Sequence, residues 1–179
     1  MKLTANLNTD KFRNGDLIPE AKTNQEWIEA GKNKQPAWCY YDNKPENGEK
    51  YGKLYNWYAV NDARGLAPRG WHVPTASEIN TLVNYLGGTS VAGGALKDTS
   101  SYWASPNVGA TNSSGFTALP GGYREAIRFI YIGYNAVFWS STVYNQGAAT
   151  AMGIINGDAG VSVAPGWLSQ GFSVRCIKD

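Results

Sequence analysis

The sequence predicts a single α+β domain, with short helices in its first half and a glycine-rich, mostly antiparallel β half at the C-terminus. Two observations carry this prediction. Capping motifs and apolar repeats of helical period lie before residue 90, whereas after Gly93 short apolar runs alternate with glycine pairs and Asn or Ser turns. The chain has 179 residues, of which 42% are hydrophobic, so it can bury the core of one domain.

The best-defined helix is predicted directly after Pro74. Thr75 and Glu78 form a capping box, in which each side chain accepts a hydrogen bond from a backbone N–H that the first helical turn leaves unpaired. One apolar stripe then follows at helical spacing, formed by Ile79, Leu82, Val83 and Leu86. Gly87-Gly88 supplies the stop.

Two further helices are predicted earlier in the chain. Thr23 and Glu26 form another capping box, and the helix that starts there should end near Gly31. The segment 54–61 is a weaker candidate, in which three apolar side chains could share one face: Leu54, Trp57 and Tyr58.

The second half of the chain is predicted to consist of short strands. They are expected at Phe116–Leu119, Phe129–Ile132, Ala136–Ser140, Ala149–Ile155, Gly160–Val163 and Phe172–Ile177. Turns are expected at Gly121-Gly122, Asn156-Gly157 and Pro165-Gly166. We interpret residues 1–35 as a peripheral N-terminal arm and residues 36–179 as a binding domain.

Charge is distributed unevenly, and charge and hydrophobicity each exclude one class of partner. Between Arg128 and Arg175 the only charged residue is Asp158, and a formal net charge of +2 offers no clustered basic face for nucleic acid. No apolar run approaches the ~20 residues that membrane insertion needs. The first ten residues lack the apolar stretch of a signal peptide, as expected for a virion component, a cytoplasmic protein or a surface protein whose leader has been removed.

Catalytic and metal chemistry find little support in the residue pattern. Cys39 and Cys176 are too few for a disulfide scaffold and lack metal-ligand spacing, so we favour two buried free thiols. A bridge between them is the alternative, and a catalytic thiol is a remote one, because His72 is the only histidine and better fits a packed or capping role. The stretch 42–47 is interpreted as a solvated loop rather than a calcium site. We therefore predict a protein that is not an enzyme and uses no cofactor or metal.

The neutral stretch between Arg124 and Gly171 favours a binding surface. Solvent-facing strands and loops usually carry charge for solubility, whereas interfaces favour aromatic residues and are depleted in Lys and Glu. Binding surfaces of antibodies likewise use Tyr, Ser, Gly and Asn. About half of these residues must belong to the core and its turns, but the absence of compensating charge favours an exposed binding face for the rest.

Five ordered motifs carry a family resemblance: YGKLYNWYA at 51–59, PRGWHVPT at 68–75, SGFTALPGGYR at 114–124, FWSST at 138–142 and GFSVRC at 171–176. Over roughly residues 36–179 the chain resembles the Fibrobacter succinogenes major paralogous domain family. That family is similar to the C-type-lectin-like and formylglycine-generating-enzyme folds, which implies that the first and last strands meet and that Cys39 lies near Cys176. The enzyme branch uses two closely spaced cysteines near the C-terminus, and this chain has only Cys176 there, so oxidase activity is not implied.

The resemblance also implies a function. Relatives of this fold are variable proteins of diversity-generating retroelements, in which a reverse transcriptase rewrites adenines, mostly in asparagine codons, and cannot produce Glu, Gln, Lys, Met or Trp. Five residues of the segment do not fit such rewriting: Glu125, Gln146, Met152, Trp167 and Gln170. The predicted ligand-binding residues are Ile127, Ile130, Tyr131, Tyr134, Asn135, Val137, Tyr144, Asn145, Ala151, Gly153, Ile155, Asn156, Asp158 and Leu168.

We therefore expect a protein that binds a ligand or receptor through a diversified C-terminal surface, as in a phage receptor-binding protein or an adhesin. The expected partner is a host-surface protein or a glycan receptor, with the domain forming a homo-oligomer or displayed on a larger assembly. One alternative is an assembly domain whose neutral face packs against neighbouring subunits. A less favoured one is an oxidase of the formylglycine-generating type, which would need a reactive thiol and a metal, most simply copper or calcium.

Overall fold

Short helices and two-residue strands make up the first half of the chain. The computed structural model describes residues 5–179. The helices of this part are α1 (Asn24–Lys32), α2 (Pro45–Tyr51), α3 (Trp57–Val60), α4 (Ala76–Tyr85) and α5 (Ala92–Leu96). Its strands are β1 (Trp38–Cys39), β2 (Leu54–Tyr55) and β3 (Trp71–His72), and β1 pairs with β2 in antiparallel orientation.

A five-stranded sheet makes up most of the second half. The strands that follow are β4 (Gly121–Arg124), β5 (Phe129–Ile132), β6 (Asn135–Asn145), β7 (Ala148–Ile155), β8 (Ser162–Trp167) and β9 (Ile177–Lys178). The sheet has the order β5-β4-β6-β7-β8, and β9 pairs outside it with β3. All these pairs are antiparallel except β4 with β6, which meet in parallel at Gly122 and Ala136. The predicted α+β class, with a mostly antiparallel C-terminal half, is confirmed.

Both capping boxes start helices, as predicted. In α1 the Thr23 hydroxyl accepts a hydrogen bond from the Glu26 backbone N–H at 3.2 Å, and the Glu26 carboxylate accepts one from the Thr23 backbone N–H at 2.8 Å. Thr75 and Glu78 make the same reciprocal pair at the start of α4. The last residue of α4 is Tyr85, so the helix ends just before Gly87-Gly88.

The predicted helix over residues 54–61 is wrong in its first half. Leu54 and Tyr55 form β2 because their backbone pairs with β1, and the Tyr55 N–H also donates to the Phe172 carbonyl at 2.9 Å. The helix starts only after Asn56, whose side chain caps it by accepting from the Ala59 N–H. Tertiary pairing thus overrides the local helical pattern.

The stretch 42–47, interpreted as a loop, is more ordered than predicted. Residues Tyr41–Asn43 form a 3₁₀ turn, and α2 begins at Pro45. Proline suits the first position of a helix because its missing N–H would have no partner there. Pro45 is therefore the sequence signal that marks the start of α2.

The strand predictions are confirmed for β5 and, with shifted ends, for β6, β7 and β8, but two of the predicted turns are wrong. Gly121-Gly122 lies inside β4, where a Cβ on Gly122 would meet the Ile130 carbonyl oxygen at 2.6 Å, so glycine serves close packing there. Pro165-Gly166 lies within β8, an edge strand in which a residue without an N–H is tolerated. Phe116–Leu119 is not a strand, because Thr117 has a φ of +56°. The Asn156-Gly157 turn is observed.

Two large apolar clusters lie on the two sides of the sheet. Successive strand residues point to opposite faces. Phe138, Met152 and Ile154 project from the inner face and pack with Ile79 and Val83 of α4. The second cluster surrounds Trp139, on the other face.

The described part of the predicted N-terminal arm is integrated into this fold rather than peripheral. Leu7, Phe12 and Ile18 are buried in the cluster that contains Trp139. The Leu7 N–H also donates to the Val174 carbonyl at 2.9 Å. Residues 5–35 therefore complete the core that residues 36–179 begin.

Both cysteines are free and buried, which confirms the favoured interpretation of the two thiols. Cys39 packs with Trp27 and Leu54, whereas Cys176 belongs to the cluster around Trp139. The meeting of the first and last strands that the resemblance implied is not observed, because β1 pairs with β2 and β9 pairs with β3.

Candidate binding face

The open face of the sheet is built from alternate residues of three strands. Register places Val137 of β6 opposite Gly153 of β7, and Gly153 opposite Ser162 of β8. The neighbouring rows on this face join Asn135 to Ile155 and Ala151 to Ala164. Since alternate strand residues share a face, these side chains lie together on the side away from α4.

These rows form a shallow concavity of 230 Å³, which we call the sheet groove. Its floor is low because Ala151, Gly153 and Ala164 have little or no side chain. Its walls carry larger groups, among them Tyr123 and Ile155. The described residues that line the groove are all uncharged.

Aromatic packing closes one end of the sheet groove. The Trp139 and Phe172 rings lie 4.2 Å apart between centroids, and Tyr123 meets Phe172 edge-on at 5.5 Å. The Trp139 indole N–H donates to the Tyr55 carbonyl at 2.8 Å. These contacts pack the aromatic wall against the core at this end of the groove.

Tyr131 stands at the rim with half of its surface exposed. Its ring centroid lies 5.9 Å from that of Tyr123, and 54% of the residue is accessible to solvent. Its φ of +64° is uncommon for a bulky residue. Unusual backbone of this kind concentrates at binding sites, which supports a role for Tyr131 at this rim.

Two side-chain amides in the groove have hydrogen-bonding capacity to spare. Within residues 5–179, the Asn135 amide has no hydrogen-bond partner, and the Gln170 side chain uses only its oxygen, which accepts from the Trp167 N–H at 2.8 Å. A free amide can both donate and accept, and the Gln170 NH₂ can donate. The groove thus combines apolar surface with neutral polar groups.

The structure brings only part of the predicted site together. Five predicted residues line the sheet groove: Asn135, Val137, Ala151, Gly153 and Ile155. Ala151 is buried and contributes only to the floor. Ile130 lies on β5 opposite Tyr123 of β4, and exposed Tyr134 follows at the turn into β6.

Two predicted residues at the β7–β8 turn use their side chains to hold the turn. The Asn156 amide donates to the Ala104 carbonyl at 3.2 Å, and the Asp158 carboxylate accepts from the Gly160 N–H at 2.6 Å. Asp158 also lines a neighbouring hollow of 350 Å³ that shares Gly153 and Ile155 with the groove.

The other predicted residues do not line the sheet groove. Tyr144 and Asn145 are exposed where β6 turns into β7, and the Asn145 side chain accepts from the Gly147 N–H. Ile127 is exposed in the β4–β5 turn. Leu168 is partly buried against the core, and its carbonyl accepts from the Trp57 N–H, so its role is structural.

Several groove residues are absent from the site predicted from the sequence. Tyr123 belongs to one of the five family motifs, and Gln170 is a residue type that retroelement rewriting cannot produce. Ser162 and Ala164 belong to β8, whose predicted span ends at Val163. The alternation of small residues from Ser162 to Gly166 is the signal that could reveal them.

A buried lysine holds the loops behind the groove. The Lys97 ammonium donates to three carbonyl oxygens, those of Val108 at 2.7 Å, Ile155 at 3.0 Å and Asp158 at 2.7 Å. Burial lowers the pKa of Lys97, which lies at the end of α5 with no exposed surface. This ammonium ties the β7–β8 turn to α5 and to the loop at Val108.

His72 links two carboxylates instead of packing in the core. Its Nε2 lies 2.9 Å from Glu78 Oε1 and its Nδ1 lies 2.7 Å from Asp179 Oδ1. His72 therefore joins the start of α4 to the end of the described chain. Among residues 5–179, no three His, Cys, Asp or Glu side chains are arranged so that they could hold a metal ion together. In the same part of the chain, none of the helices has the length and apolar character of a membrane span.

The protein is an α+β domain in which one face of the main sheet packs on helices. The other face is partly open and uncharged, and tyrosines flank it. The model of the Fibrobacter succinogenes major domain matches residues 3–178, so the chain belongs to that family. No protein with a curated description and no solved structure matches the chain significantly. The match includes most of residues 1–35, in agreement with the packing of Leu7 and Phe12 into the core.

Proposed function

We propose that this protein is a binding module that recognises its partner through the sheet groove and its tyrosine rim. The observation that carries the proposal is the concave, uncharged face formed by Asn135, Val137, Gly153 and Ile155. Apolar and amide groups without charge are typical of the centre of an interface, where charged residues are depleted.

Exposure supports binding over a purely structural role for this face. Tyr131 is 54% exposed and Ile155 is 44% exposed, although both are large and hydrophobic. The inner face is different, since Phe138, Met152 and Ile154 are buried there under α4. Large apolar groups left in water on one face of a well-packed sheet are a common mark of an interaction site.

The partner we propose is a host-surface protein or a glycan, recognised without ion pairs. Tyrosine offers a flat ring and a hydroxyl, and the free amides of Asn135 and Gln170 can pair with peptide or sugar hydroxyl groups. A single groove of this size supports only weak binding. Display of several copies on one assembly would raise the avidity without new contacts.

We also propose that a retroelement diversifies this face. In its support, Met152, which rewriting cannot produce, is buried in the core and so belongs to the fixed scaffold. The other four such residues count as fixed positions under this proposal, among them Gln170, which lines the groove: Glu125, Gln146, Trp167 and Gln170. The surrounding DNA tests it: a reverse transcriptase gene and an imperfect copy of the segment encoding residues 125–170 are expected, and the absence of both would contradict the proposal.

The binding proposal is tested by placing charge on the groove. We expect Ile155→Glu and Tyr131→Asp to weaken adhesion of the fluorescently labelled protein to a panel of bacterial and mammalian cells by about tenfold or more, because each buries a carboxylate at the interface. Aspartate suits position 131 because it tolerates positive φ. Treating the cells with protease or glycosidase separates a protein receptor from a glycan.

Tyr85→Glu is the matched control, since Tyr85 is 87% exposed on α4 and away from the groove. All three variants should keep a melting temperature close to that of the unmodified protein. Adhesion that survives both groove substitutions, or a large loss of stability in both, would show that this face is not a binding surface. A rise in solution mass with concentration that Ile155→Glu abolishes would favour the assembly alternative.

A further inference from the structure

A second and larger cavity lies on the other side of the sheet, under α4. Its volume is 500 Å³, within the range of roughly 300–1,000 Å³ that is typical of small-molecule sites. Phe138 and Met152 project into it from the inner face of the sheet, and Ile79 and Leu82 line it from α4. Because this cavity is separate from the sheet groove, a ligand bound in it would be independent of the proposed binding function.

The cavity continues to the surface as a shallow, mostly apolar channel. A hollow along α4 shares Glu78, Leu82 and Ile177 with the cavity and extends to Tyr85, which is almost fully exposed. Water in such a channel finds few hydrogen-bond partners, so an apolar ligand gains free energy by displacing it. The shape accommodates an elongated chain whose far end lies against Met152.

The charges near the mouth favour an anionic head group. Lys178 is exposed, and its ammonium makes no ion pair or hydrogen bond with the rest of residues 5–179. Two carboxylates lie nearby, those of Glu78 and Asp179, and a protonated His72, which bonds both, offsets part of their charge. Arg175 also lines the cavity, but it is buried and donates to the Phe116 and Thr117 carbonyls, so the exposed cation near the mouth is Lys178.

We propose that this cavity binds a medium-chain fatty acid. The hydrocarbon chain lies between α4 and the inner face of the sheet, and the carboxylate pairs with Lys178 at the mouth. An aliphatic chain matches the apolar part of the lining, formed by Ile79, Leu82, Phe138 and Met152, whereas the charged residues of the lining are Glu78, Arg175 and Lys178. An ion pair in partial shelter from solvent selects a carboxylate over a neutral head group.

The test compares decanoate with decanol, both below the concentration at which they aggregate, by isothermal titration of the full chain. We expect both to bind, decanoate more tightly. Leu82→Trp fills the channel and should weaken both ligands by about tenfold or more. Leu86→Trp is the control, because Leu86 belongs to the same apolar stripe as Leu82 but does not line the cavity. It should leave both affinities unchanged. Lys178→Met should weaken decanoate to the affinity of decanol and leave decanol unaffected.

Each result decides the matter. Absence of decanoate binding, equal loss of both ligands in Lys178→Met, or affinity unchanged in Leu82→Trp overturns the proposal. Ile177→Trp narrows the mouth from the opposite wall and replaces Leu82→Trp where that variant does not fold.

Discussion

At the scale of single residues, the fold depends on polar groups whose partners are fixed. Lys53, like Lys97, is a buried cation that donates to carbonyl oxygen, in its case that of Asn8 at 3.0 Å, and it lies 4.4 Å from the Trp38 ring centroid. Carbonyls and aromatic rings satisfy such cations without a carboxylate. His72 differs, because its bonding changes within the physiological pH range.

The His72 bonds make stability depend on pH. A protonated ring can donate to Glu78 and Asp179 together, whereas a neutral ring has one N–H and can serve only one of them. Hydrogen bonds first to Asp179 and then to Glu78 raise the pKa of His72. The added stability is therefore complete below the unfolded pKa of about 6.5 and is lost as pH rises through the folded value.

We expect the free energy of unfolding, measured in urea, to fall by about 0.5–1 kcal/mol between pH 6 and 8.5, since solvent screens both pairs. Because His72 is the only histidine, His72→Gln should remove this slope. A slope that persists in His72→Gln would assign the pH dependence to another group.

At the scale of elements, helices with explicit end signals were predictable and short paired strands were not. The capping boxes of α1 and α4 form between residues three positions apart, so the local sequence is enough to predict that the helices start after Thr23 and Thr75. β2 has two residues and exists because β1 lies beside it, which no local pattern encodes. β4 begins with two glycines that resemble a turn, and only the packing of Gly122 against Ile130 shows their purpose.

The β7–β8 turn is the element whose stability depends most directly on one side chain. We expect Lys97→Met to lower the free energy of unfolding by about 3 kcal/mol or more, because it leaves three carbonyl oxygens without their donor. Chemical denaturation measures the loss. Lys178→Met makes the same change at an exposed site and should alter stability by less than about 0.5 kcal/mol. A loss under about 1 kcal/mol in Lys97→Met would show that water replaces the ammonium.

At the scale of the whole molecule, the neutral segment divides between core and surface. Composition could predict that an uncharged surface would follow Arg124, but not which side chains would be exposed on it. The β6–β7–β8 register sends Val137 and Gly153 outward and Phe138 and Met152 inward, and that register depends on long-range pairing. Tyr144 and Leu168 therefore fell outside the groove although their residue types matched the prediction.

The two cysteine thiols are buried, so their reaction with a thiol reagent should require unfolding of the protein. Burial raises the pKa of Cys39 to about 11 and that of Cys176 to about 12, so neither is a reactive thiolate at neutral pH. We expect both to react with Ellman's reagent only in denaturant, and the melting temperature to be the same with and without reductant. Fast labelling of the native protein, or a single thiol in denaturant, would contradict this.

The hydrogen bond from Leu7 to Val174 has a consequence for engineering. It holds a residue near the start of the described chain beside one near its end, a geometry that suits circular permutation. A short flexible linker could join the two ends, with new ends cut at Gly157, where a Cβ would meet no other atom within 4 Å. Such a permuted chain would have its free ends in the β7–β8 turn, and a carrier could be attached there instead.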